Sequence, residues 1–124
     1  MACNCNNQTT SSGGTTHVLM GSTIKVAFEL SNLPDCEMRD CDFCVDIWVS
    51  DKNDRKQSVP DDALHFTKEL MVDVDNNTYI AEVKTGLLKR GYVIGRIVAQ
   101  VPDSECPSGW RTDIEQAVAN IIIE

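Results

Sequence analysis

The sequence predicts an all-β domain: an immunoglobulin-like two-sheet sandwich of about seven strands with a flexible N-terminal arm. Three observations predict it. Apolar and polar residues alternate with period two through several short runs. Clusters of Gly, Pro, Asn, Asp and Ser interrupt those runs about every ten residues. No long helical pattern lies between them.

The elements follow in order. Residues 1–16 are Asn, Gln, Thr, Ser and Gly with two cysteines, and nothing there can bury a core face. They are read as an arm that is mobile in the isolated chain or becomes ordered on a neighbouring subunit. Residues 17–124 are the sandwich domain. Residues 17–20 form a short apolar run before a break at Gly21 and Ser22. In residues 23–30, Ile24, Val26, Phe28 and Leu30 share one face, with Lys25 and Glu29 on the other. Residues 31–40 read as loop. In residues 41–50, Phe43, Val45, Ile47 and Val49 face one way, and Asp42, Cys44, Asp46, Trp48 and Ser50 the other. Pro60 makes the polar residues 55–62 a linker or an edge.

Residues 64–74 read as one strand with a bulge. Asp75, Asn76, Asn77 and Thr78 form a hairpin turn, because Asn tolerates left-handed backbone. Tyr79, Ala81 and Val83 alternate with Ile80, Glu82 and Lys84 in the next strand. Residues 85–91 read as a connection with a single helical turn. Residues 92–101 are apolar on both faces, as a central strand is. Pro102 and Asp103 end it. Residues 110–124 are read as strand, because β-branched flanks outweigh the helical reading available to residues 113–119.

The bulk numbers narrow the function classes. A chain of 124 residues fits one domain whose core needs neither disulfides nor metal. An apolar fraction of 42% with 24% charged residues is a globular balance and excludes wholesale disorder. A net charge of −8, with the 11 basic residues scattered, argues against nucleic acid and anionic membrane surfaces. Lys89 and Arg90 form a basic pair beside Gly91, a turn. No segment approaches the roughly 18 to 20 apolar residues that span a bilayer. The N-terminal residues lack the apolar core of a secretory signal, so a reducing cytoplasm is expected.

The six cysteines pose the first chemical question. Cys36, Cys41, Cys44 and Cys106 could supply four thiolates to zinc, but a second paired motif is missing. In a regular strand Cys41 and Cys44 also point to opposite faces. Packing or surface thiols are the expectation, with no metal and no cofactor. Cys3 and Cys5, on the arm, are candidates for contact or cross-linking with another chain.

Asp73, Asp75 and Asn77 resemble the opening of a calcium loop. That loop needs Gly at its sixth position and Glu at its twelfth, where Thr78 and Lys84 stand. Residues 35–54 carry seven acids against two bases, expected as a solvated acidic face. The two histidines, His17 and His65, lie in no nucleophile motif, and no Gly-rich phosphate loop appears. No enzymatic activity is expected. Trp48 and Trp110 are candidate anchors of a protein interface, although a buried sandwich Trp is as common.

A resemblance adds to this reading. The run Asp75, Asn76, Asn77, Thr78, Tyr79, Ile80, Ala81 is followed by Gly91, Tyr92, Val93. Then come Val101, Pro102, Asp103, Ser104, then Pro107, and Arg111, Thr112, Asp113, Ile114, Glu115. This order resembles small virion-associated proteins of phages of Bacteroides-type gut bacteria, the crAss-like group among them. It covers residues 64–124, and more loosely the strands of residues 23–50. The resemblance implies a β-sandwich structural protein of the virion, assembled in the host cytoplasm, as capsid decoration or as a head-fibre or tail adaptor. Its expected partners are other virion proteins and further copies of itself. The cysteine-bearing arm departs from the pattern. The alternative is a free carbohydrate-binding or adhesion module, using Trp48, Trp110 or Tyr92 as a stacking platform, with calcium at the acidic loops.

Overall fold

Each run of period-two alternation forms an extended segment whose apolar side faces inward. The computed structural model describes residues 2–5, 15–33, 36–54 and 56–124. Nine strands follow in order: β1 (Ala2–Cys5), β2 (Thr16–Val18), β3 (Thr23–Glu29), β4 (Asp42–Ser50), β5 (Leu64–Thr67), β6 (Val72–Asp73), β7 (Tyr79–Lys84), β8 (Gly91–Pro102) and β9 (Trp110–Ile123). Strands β3, β7 and β6 form one sheet in the order β3-β7-β6, with β1 added antiparallel along the outer edge of β3. The other sheet has the order β2-β9-β8-β4-β5.

Between the sheets lies one apolar core. Ile24, Val26 and Phe28 from β3 and Ala81 and Val83 from β7 meet Val45 and Ile47 from β4, Ile97, Ala99 and Val101 from β8, and Ile121 and Ile123 from β9. All are at most 1% exposed. Burial of each such side chain larger than alanine contributes roughly 1.5–3 kcal/mol. Phe43 of β4 and Tyr79 of β7 close one end edge-to-face, with ring centroids 4.8 Å apart at 77°. The Lys68 ammonium lies 5.7 Å and 5.9 Å from those two rings and donates to the Arg39 and Cys41 carbonyls, both at 2.6 Å.

Two segments differ from the sequence reading. Residues 64–74 are not one strand. The chain forms β5 in the five-stranded sheet, a 3-10 turn at Lys68–Leu70, and then β6 in the other sheet. The alternation breaks at this turn: Leu70 is 64% exposed while the next residue, Met71, is buried. This crossing gives eight strands from β2 onward, where about seven are expected from the sequence. Ala2–Cys5, read as part of the arm, forms β1; an edge strand needs main-chain hydrogen bonds rather than apolar side chains. The remainder of the arm before Thr15 lies outside the described residues.

The turns hold the register. Asn76 takes φ of 70°, as the hairpin before β7 requires, and its N–H donates to the Asp73 carboxylate at 2.6 Å. Between β7 and β8 the chain makes a 3-10 turn, Thr85–Leu87. Thr85 is fully buried; its hydroxyl accepts from Gly21 N–H and donates to the Ser22 carbonyl, both at 2.8 Å.

Candidate functional site

The outer face of the five-stranded sheet carries most of the chemistry-bearing residues. The register sets side chains in cross-strand rows. Trp48, Ile94 and Val118 form one row. The next holds His65, Asp46, Arg96 and Gln116, and the next Thr67, Cys44, Val98 and Ile114. Asp42, Gln100 and Thr112 follow, and Pro102 with Trp110 ends the series. An apolar row is thus flanked by two polar ones, and its end residue Ile114 is 62% exposed.

The polar rows are tied down. His65 Nδ1 lies 2.9 Å from Asp46 Oδ1. Arg96 Nε donates to Gln116 Oε1 at 2.7 Å, and Gln116 Nε2 donates to the Gln57 carbonyl at 2.8 Å. The Thr112 hydroxyl donates to Gln100 Oε1 at 2.9 Å. Asp42, Cys44, His65, Thr67, Glu69 and Gln100 line a shallow depression of about 450 Å³ on this face.

The two tryptophans have different places. Trp110, at the tip of the β8–β9 hairpin, is 47% exposed. Trp48 is 2% exposed, the buried one of the two placements that the sequence leaves open. It packs outside the sheet with Ile94, beside the connecting residues Gln57, Ser58 and Pro60. That connection, tied through the Gln57 carbonyl, makes a polar-face position a second, smaller core. Among the described residues the Trp48 indole N–H has no hydrogen-bond partner.

Cys36 and Cys41 come together, while Cys44 stands on the other face of the sheet. Cys41 is buried in the inner core, its thiol donating to the Glu37 carbonyl at 3.7 Å, and its pKa is pushed up to about 12 by burial and by the neighbouring Cys36 thiol. Cys44 lies in an outer-face row, opposite Cys41 as the strand period requires. Its pKa is raised by burial and then by the Asp46 and Asp42 carboxylates. Cys44, His65 and Asp46 share a face, yet a thiolate nucleophile needs the opposite electrostatics, a nearby cation and a lowered pKa. Among the described residues no cluster of three or more His, Cys, Asp or Glu could hold a metal ion. The register sets Cys3 beside Phe28 and Cys5 beside Val26.

Sequence reasoning missed Ile114 and Val98 as surface residues. An alternating strand shows that one face is wetter, but not which neighbours complete a row. No family model, curated protein or solved structure matches the chain.

Proposed function

We propose that this chain is a non-enzymatic structural protein of a phage virion, a capsid decoration or a head-fibre or tail adaptor, that acts through its sheet surfaces. The observation that carries the protein-contact part is the outer face of the five-stranded sheet. A flat apolar row ending at the exposed Ile114 lies between rows of hydrogen-bonded polar side chains. Apolar centres with polar rims are how protein interfaces are composed. The virion part rests on the sequence resemblance alone.

An immunoglobulin-like identity suits this reading. The orders β1-β3-β7-β6 and β2-β9-β8-β4-β5 match an A-B-E-D sheet and an A′-G-F-C-C′ sheet. One departure is that Trp48 stands on the outer side of the third of these strands rather than in the inner core.

The test is binding of the purified chain to particles that lack it. The parent chain is expected to co-sediment with them, and Val98→Lys, which sets a charge in the apolar row, to weaken binding at least about tenfold. Co-sedimentation unchanged by Val98→Lys would overturn the assignment to this face. The carbohydrate reading retains Trp110, at the hairpin tip, as its platform. It predicts a melting temperature raised by a glycan or by calcium.

A further inference from the structure

We infer that Cys36 and Cys41 are a thiol pair that closes to a disulfide by exchange with a small-molecule disulfide, stapling the turn between them. This goes beyond the proposed function and does not depend on it.

The turn builds the pair. Met38–Asp40 is a single 3-10 turn between two extended residues, Glu37 and Cys41. Asp40 N–H donates to the Glu37 carbonyl at 2.9 Å, and Cys41 N–H to the Met38 carbonyl at 3.1 Å. The Asp40 carboxylate accepts from Glu37 N–H at 3.0 Å. The chain therefore doubles back, and the Cys41 thiol lies 3.7 Å from the carbonyl oxygen of Glu37, the residue after Cys36. Cys36 packs against the same apolar core that holds Cys41, and the two side chains touch. Thiols already in contact need little backbone movement to bond.

Access sets the order of reaction. Cys41 is buried, while Cys36 is half-buried. Cys36 also lines an open depression of about 590 Å³ with Asp103, Glu105 and Arg111, at the foot of the β8–β9 hairpin. The attacking species is the thiolate, and burial makes Cys41 hold its proton. Cys36 therefore reacts first. Its sulfur attacks one sulfur of the small molecule, that S–S bond breaks, and the Cys36 proton leaves with the departing thiol. The Cys41 sulfur then attacks the Cys36 sulfur of the mixed disulfide, and the second thiol departs with the Cys41 proton. Two protein thiols have lost two electrons, and one small-molecule disulfide has become two thiols. The second step lies within one chain, so Cys41 needs no path to solvent.

The other described thiols are placed differently. Cys44 stands on the opposite face of β4 from Cys41. Cys106 lies in the β8–β9 hairpin, its N–H donating to the Asp103 carbonyl at 3.2 Å, and is the competitor for Cys36.

Three connections meet at the stapled turn. Arg39 N–H donates to the Asn76 carbonyl at 2.9 Å and Met38 N–H to Asn77 Oδ1 at 3.1 Å, both in the β6–β7 hairpin. Lys68, from the crossing between β5 and β6, donates to the Arg39 and Cys41 carbonyls. A disulfide across residues 36–41 restricts the open states of this junction.

The experiment treats the reduced full chain with oxidised glutathione, follows the products by peptide mapping in a mass spectrometer, and compares amide hydrogen exchange in the two states. Mapping separates this pair from Cys3 and Cys5. The expected course is glutathione on Cys36, then a Cys36–Cys41 link with the glutathione released, reversed by dithiothreitol. The Arg39 and Cys41 amides are expected to exchange more slowly in the linked chain. Cys41→Ser should stop at the adduct on Cys36, and Cys36→Ser should leave Cys41 unmodified. An adduct on Cys36 that never resolves, a link from Cys36 to Cys106 or to a second copy, or Cys41 modified without Cys36 would each overturn the pair. Equal amide exchange in the two states would overturn the staple. If a variant fails to fold, the order of products in the parent chain decides. Particle binding that is the same in both redox states would leave the proposed function standing whatever the thiols do.

Discussion

At the scale of single residues, the buried polar atoms set the most specific expectations. The Thr85 hydroxyl accepts from Gly21 N–H, while Ser22 C=O accepts from both the hydroxyl and the N–H of Thr85, the latter at 3.0 Å. Thr85→Val keeps the shape and removes two part-buried hydrogen bonds, the one from Gly21 N–H and the one to the Ser22 carbonyl. It should lose about 1–3 kcal/mol in chemical denaturation, whereas Thr85→Ser should lose clearly less. An equal loss in the two variants would show that the hydroxyl is not the cause. Trp48 presents the reverse case, a buried N–H with no partner among the described residues. Trp48→Phe removes that donor along with some volume and should cost less than about 1.5 kcal/mol, against about 3–5 kcal/mol for Trp48→Ala. A large loss in Trp48→Phe would reveal an acceptor for the indole.

The thiols give a pH dependence whose sign is fixed. Burial and the Cys36 thiol lift Cys41 from 9.0 to about 12, so the folded chain holds its proton more tightly than the unfolded one. That contribution is complete below about pH 9 and is lost as pH rises toward 12. Burial raises Tyr79 and Cys44 as well, which deepens the same decline. Thermal melts should therefore fall across this alkaline range, and Cys41→Ala should flatten part of the fall. An unchanged slope in Cys41→Ala would contradict the assignment. The sequence showed that Cys41 and Cys44 face opposite ways. It could not show that Cys36 reaches Cys41, because that contact crosses a loop.

At the scale of elements, legibility followed periodicity. β3, β4, β7 and β8 lie within a residue or two of the runs read from alternation, and β9 is strand where a helix was the competitor. What escaped was set by distant partners. The crossing from β5 to β6 hangs on Lys68, which reaches back to the Arg39 and Cys41 carbonyls, a contact no local pattern encodes. Trp48 is on the wetter face of its strand, and its burial depends on a loop whose Gln57 carbonyl accepts from Arg96, 39 residues further along the chain. Gly91 shows the same dependence at a strand start. It takes φ of 138°, and a Cβ there would meet the Ser50 carbonyl oxygen at 2.4 Å. Backbone cannot yield as a side-chain tip can. Gly91→Ala should cost about 2–4 kcal/mol, read as a lowered denaturation midpoint with the slope unchanged. A midpoint within error of the parent would mean that the β4–β8 contact relaxes.

At the scale of the whole molecule, a net charge of −8 accompanies an apolar row through Val98 and the exposed Ile114 on the outer sheet face. Charge of that size favours solubility of the free chain and steers it toward basic or polar surfaces. The fold class was legible because a sandwich needs only alternation and turns. The candidate site was legible in part: Trp110 is exposed as an anchor requires, Trp48 is not, and the row through Val98 and Ile114 exists only once three strands are in register. The measurement that bears most directly on the proposed role is quantitative mass spectrometry of purified phage particles from the source that encodes this chain. A fixed copy number per particle is the predicted result, high for capsid decoration and low for a fibre or tail adaptor. Absence of the polypeptide from the particles would contradict the structural role and move glycan and calcium binding to the front.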